Sequence, residues 1–127
     1  MKVLLLLAGG AIGTLARYSL SGLAHKIYDG VFPLGTLVVN LAGSLLIGLL
    51  WGLLDTGSLS THTRAFIFIG IFGGFTTFST YTLESLNLFK DGDIKLAVIN
   101  ILANNILGLL LVFIGFVSAR GLLNVFR

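Results

Sequence analysis

The sequence contains no cysteine, a single proline (Pro33) and little charge: 10% of its 127 residues are Asp, Glu, Lys or Arg. Without cysteine there are no disulfides and no thiolate metal sites, and the redox compartment is unreadable. The shortage of charge excludes more, because soluble domains carry charge at about a quarter of their positions. Here 56% of residues are hydrophobic and the mean hydropathy is +1.03, which defines an integral membrane protein surrounded by lipid. The formal charge of +3 is too scattered to form a nucleic-acid patch, so no nucleic-acid partner is expected. No phosphate-loop motif is present either, so any transport is expected to be passive, and the chain is not read as an enzyme.

What is there is sufficient for about four spans of roughly 20 residues with short connections. The expected fold is all-α, a single four-span membrane domain over residues 1–127, multi-pass in the cell membrane, inner or plasma, of a prokaryote-like cell. The run Val3 to Ala8 imitates a signal-peptide core, but Gly9, Gly10, Gly13 and Arg17 interrupt it and the pattern continues as a span.

The first span is expected from Val3 to Leu23, with Gly9, Gly13 and Ala16 on one face where another helix approaches closely. Arg17 either snorkels to the interface or faces a vestibule that gathers anions. A polar loop from Ser21 to Phe32, with a surface His25, leads to Pro33 and a helix start. The second span, Leu34 to Leu54, carries Asn40 among apolar residues, and its amide must find partners inside the bundle or donate to a passing anion. Trp51 fits an interfacial anchor. A turn-like loop from Asp55 to Arg64 holds a solvated His62. The last span, Ile94 to Ser118, places Asn100 and Asn104 on one face, four residues apart, with Asn105 beside them.

The third span, near Ala65 to Phe89, contains the stretch Gly73-Gly74-Phe75-Thr76-Thr77-Phe78-Ser79-Thr80-Tyr81-Thr82. Paired glycines at its centre are expected to break the helix. In hydrocarbon, non-helical backbone survives only where protein or a watery cavity satisfies the freed groups, so a break suggests a binding site or pathway. Small-residue helix packing is the plainer explanation for the glycines, but it does not require five Ser and Thr hydroxyls from Thr76 to Thr82. Glu84, the only acidic residue inside an expected helix, serves either a proton relay or a structural hydrogen bond.

Three motifs in order, Gly-Gly-x-x-Gly-x-x-x-Arg-Tyr at Gly9 to Tyr18, Gly-Thr-Leu-x-x-Asn at Gly35 to Asn40, and Gly-Gly-x-Thr-Thr-Phe-Ser-Thr at Gly73 to Thr80, resemble the Fluc (CrcB-type) fluoride channels. The resemblance covers essentially the whole chain. It implies a four-helix subunit in an antiparallel, dual-topology homodimer with two fluoride pores and a structural Na+ at its centre. By the same resemblance, main-chain carbonyls of Gly73 and Thr76 would hold the sodium. Asn40, Phe78, Tyr81 and Asn104 would contribute to the pore. Arg17 and Glu84 match the family's arginine and carboxylate and are assigned to the vestibule. Two positions depart from the pattern: Tyr81 stands where phenylalanine is usual, and Leu107-Gly108 where a Gly-Ser is common.

Fluoride is small and strongly hydrated, so a pore must replace its water with donors such as the Asn40 amide and the hydroxyls of Thr77, Ser79 and Thr80, and with positive aromatic edges. Two alternatives compete. A small multidrug-type proton-coupled exporter also has four short spans, but such exporters rely on a first-helix carboxylate that this chain lacks. A non-transporting membrane assembly subunit would explain the glycines and leave the hydroxyls without purpose. The basic residues split 4 against 4, with Lys2, Arg64, Arg120 and Arg127 on one side and Arg17, Lys26, Lys90 and Lys95 on the other. Positive-inside counting therefore selects no orientation.

Overall fold

The computed structural model describes residues 1–54 and 59–125. Asp55 to Ser58, part of the expected second loop, and Arg127, one of the basic residues counted above, lie outside the described residues. Every regular element among the described residues is helical, and four helical stretches are long and apolar enough to cross a membrane.

Helix α1 (Lys2–Ile27) forms the first span. It is longer than expected: Ser21 to Ile27, read from sequence as loop, are helical. No proline interrupts them, Ala24 is buried, and His25 and Lys26 in the last turn complement the negative end of the helix. Helix α2 (Leu34–Leu53) begins directly after Pro33, whose carbonyl accepts from the Leu37 N–H at 3.2 Å. Proline suits this position because the helix start needs no N–H from it.

The third span, Thr61–Lys90, is assembled from pieces. A short helix α3 (Thr61–Arg64), capped by Ser60 Oγ accepting from Thr63 N–H at 3.1 Å, passes into a π-helical segment Ala65–Ile71 and then α4 (Phe72–Phe75). Thr76 and Thr77 are extended, at φ −81°, ψ 160° and φ −148°, ψ 117°, and α5 (Phe78–Lys90) follows. The glycine pair therefore does not itself leave the helix: Gly73 and Gly74 are helical, and the interruption falls on the two threonines. Glycine permits a break without requiring one. The threonines are β-branched and crowded in a helix, and Thr77 Oγ1 accepts from Thr80 N–H at 3.2 Å to start α5.

The fourth span, Ile94–Val125, consists of α6 (Ile94–Leu102), a second π-helical segment Ala103–Leu107, and α7 (Gly108–Val125). Its connection to α5 turns at Gly92, where φ is +87°.

Successive spans alternate in direction, so spans one and three run parallel, as do two and four. Spans one and three meet through backbone: a Cβ on Gly13 would collide with the Ile71 carbonyl oxygen. Ala16, expected on this seam, is exposed, because α1 has by then turned toward α2, with Ser21 and His25 against Gly35. Spans two and four meet the same way, with Gly48 against the Val112 backbone. Small residues thus replace hydrophobic burial as the means of association, as expected where lipid is as apolar as the side chains. Val39 and Asn100 are the largest fully buried side chains, and Phe72, Phe75, Tyr81 and Leu88 join them in the thin core.

Candidate functional site

The extended pair Thr76-Thr77 leaves backbone groups without helical partners, and Asn40 from the middle of α2 serves those of Thr77. Its Oδ1 accepts from Thr77 N–H at 2.8 Å and its Nδ2 donates to the Thr77 carbonyl at 3.1 Å. The amide side chain acts as a substitute peptide group, satisfying both the donor and the acceptor of one residue. The second Nδ2 hydrogen goes to Asn104 Oδ1 at 2.8 Å.

From Asn104 a polar relay continues into the core. Asn104 Nδ2 donates to Asn100 Oδ1 and to the Asn100 carbonyl, both at 3.0 Å. Asn100 Nδ2 donates to Ser85 Oγ at 2.9 Å and reaches the Tyr81 carbonyl at 3.4 Å, while Ser85 Oγ donates to that carbonyl at 2.8 Å. Asn105 Nδ2 donates to the Tyr81 phenol oxygen at 3.2 Å and to the Ile101 carbonyl at 2.8 Å. An unpartnered amide at this depth would cost free energy, and the relay removes that cost while tying α2, α5 and the fourth span to one another.

Two clefts open beside this framework. The first, about 270 Å³, is lined by Asn40, Ser44, Thr76, Thr77, Phe78, Tyr81, Asn104 and Asn105 among others. Phe78 is 73% exposed and stands edge-on to the buried Tyr81 ring, centroids 5.0 Å apart at 89°. The second, about 370 Å³, lies toward the Pro33 end and is lined by Arg17, Tyr18, His25, Thr36, Thr77 and Thr80 among others. Thr77 borders both clefts, so the peptide that Asn40 holds forms the partition between them. Glu84 stands next to the second cleft: its Oε1 accepts from Thr36 Oγ1 at 2.7 Å, and its Oε2 is buried without a partner.

The structure thus brings Asn40, Thr76, Thr77, Phe78, Tyr81 and Asn104 to one cleft, and Arg17 and Thr80 to its neighbour. Ser79 is exposed and lines neither. Gly73 is exposed beside open space. Thr36, Ser85 and Asn105 are working parts of the network that sequence reasoning left out of the site. A signal existed for Thr36, four residues before Asn40 and hence on the same helical face; none existed for Ser85, whose partner lies across the bundle.

A family model described as "CrcB-like protein, Camphor Resistance (CrcB)" matches residues 4–116. The chain belongs to the CrcB family. This CrcB chain is 42% identical over 127 residues to a protein of Parabacteroides distasonis named fluoride-specific ion channel FluC, covering all of this chain and 99% of that one. Proteins of the same name from Dehalococcoides mccartyi and Pyrococcus abyssi are 47% and 45% identical, over 90% and 92% of this CrcB chain and 88% and 94% of their own lengths. With its four apolar spans, this CrcB protein is a multi-pass membrane protein.

Proposed function

We propose that the protein is a passive, fluoride-selective channel. The carrying observation is 42% identity across the entire chain with a protein named for that activity. The geometry supports the reading: hydroxyls, amides and aromatic edges, with no carboxylate lining them, border two clefts that share Thr77. Such groups suit a small, strongly hydrated anion. Purified protein in liposomes is expected to release fluoride down its gradient while chloride efflux stays at background, and equal efflux of the two would sink the reading.

In this reading the interruption at Thr76-Thr77 is the functional break of the third span, and the unit is an antiparallel homodimer with two pores, serving fluoride export. The first cleft is open to one side and Phe78 projects from it, which suits completion by a second copy. A structural sodium fits the donors available. Thr77 N–H, the helical partner of the Gly73 carbonyl, donates to Asn40 instead, which frees that carbonyl, and no hydrogen bond among the described residues occupies the Thr76 carbonyl. Neutral carbonyls of Gly73 and Thr76 from two copies would hold the ion, and its charge would favour a neighbouring anion. A crystal structure is expected to show a peak on the two-fold axis at about 2.2–2.6 Å from those oxygens; spacing near 2.8 Å would indicate water instead.

A further inference from the structure

At the end of the bundle that carries Trp51 lies an apolar trough that the clefts do not use. It runs between α2 and α7, encloses about 460 Å³, and is walled by Ile47 and Trp51 on one side and Leu109, Val112, Phe113 and Phe116 on the other. The floor is backbone, because Gly48 lies directly on Val112. At its mouth the Arg120 guanidinium carbon stands 5.5 Å over the Phe116 ring, so the charge is held beside the trough. Trp51 and Phe68, edge to face at 5.2 Å, mark the interfacial level on the same end.

Both ends carry basic residues, and they differ in their carboxylates. Lys2, Arg64 and Arg120 are exposed at the Trp51 end, whereas every carboxylate among the described residues, Asp29, Glu84, Asp91 and Asp93, belongs to the opposite end. Asp55 lies outside the described residues.

We propose that this trough seats an acyl chain of an anionic phospholipid whose phosphodiester pairs with Arg120. Any apolar trough in a bilayer fills with hydrocarbon; the fixed guanidinium decides which lipid supplies it. Its forked donors match phosphate oxygens, and a basic end attracts anionic headgroups. A zwitterionic lipid brings a second cation to the same place and is disfavoured.

The full-length protein in detergent micelles is titrated with phosphatidylglycerol or phosphatidylcholine of the same acyl chains, and bound lipid is counted by native mass spectrometry. Phosphatidylglycerol adducts are expected to exceed phosphatidylcholine adducts several-fold. Arg120→Gln, a change at an exposed side chain, should abolish that preference, and Val112→Trp, which fills the trough, should remove both adducts. Equal retention of the two lipids, or a preference unchanged in Arg120→Gln, overturns the proposal. So does occupation by a second copy, read as absence of lipid adducts together with cross-linking through Val112→Cys, the sole thiol in such a variant. If Val112→Trp does not fold, Arg120→Gln carries the test alone.

Discussion

Asn40 uses both amide hydrogens and its oxygen on the protein itself, so in this conformation it braces the interruption and leaves no hydrogen pointing free into the cleft. Any donation to an ion would have to replace the bond to Asn104 or to Thr77. Asn40→Ala would strand Thr77 N–H, the Thr77 carbonyl and Asn104 Oδ1, at about 1–3 kcal/mol for each group left buried and unpaired. The expected outcome is a lower melting temperature, followed through Trp51 fluorescence, together with at least about tenfold slower fluoride efflux, equivalent to roughly 1.4 kcal/mol on the barrier. Tyr81→Phe is the contrast. It removes one acceptor from Asn105, which keeps its bond to Ile101, and should stay within about 1 kcal/mol of the parent in stability. Wild-type melting and flux in Asn40→Ala would show that the brace is dispensable. The sequence announced that Asn40 needed partners; it could not name Thr77, 37 positions away, because the pairing exists only once α2 and the third span lie side by side.

Among elements, the glycine seams make the sharpest distinction. Gly13 lies on the face expected to meet another helix and Gly10 lies off it, and accordingly a Cβ on Gly10 meets nothing within 4 Å while one on Gly13 meets backbone that cannot swing aside. Gly13→Ala is therefore expected to destabilise by about 1–3 kcal/mol through overpacking, and Gly10→Ala to be neutral or slightly stabilising through helix propensity. Thermal melts of the two variants in the same detergent check this, and indistinguishable melts would contradict the seam. Hydropathy made the four spans legible because lipid demands long apolar runs. It misplaced the end of α1, since polar residues after Leu23 still complete a helix that emerges from the apolar region. The glycine pair itself suggested an interruption at Gly73-Gly74, rather than at Thr76-Thr77, where long-range hydrogen bonds and a helix cap are found. The two π-helical segments left no trace, because one additional residue in a turn does not alter an apolar average.

For the whole molecule, the single chain buries little of itself: between 11% and 33% of each span's most apolar window is enclosed. The remaining apolar surface must face lipid or another copy. With basic residues split 4 against 4, neither orientation is favoured by positive-inside counting, and an antiparallel pair with closed two-fold symmetry becomes accessible. Reporters fused to the C-terminus are expected to register on both sides of the membrane in comparable amounts. A single orientation in cells would rule out the antiparallel arrangement.

The π-helical turn at Ala103–Leu107 has a consequence for descent. Such a turn holds one residue more than an α-turn, so a residue can be gained or lost there while the helices on either side keep their faces. Around it the asparagines reach α2 and α5, and beyond it Gly108 and Gly115 meet α2 at Ser44 and Leu45. Excising Ala103 would leave a plain α-turn and keep Gly108 and Gly115 on α2, where the same deletion within α7 would turn everything after it by about 100°. Lineages of this chain can therefore differ in residue number at this turn, whereas a change of length inside α7 would carry the glycine seam out of register.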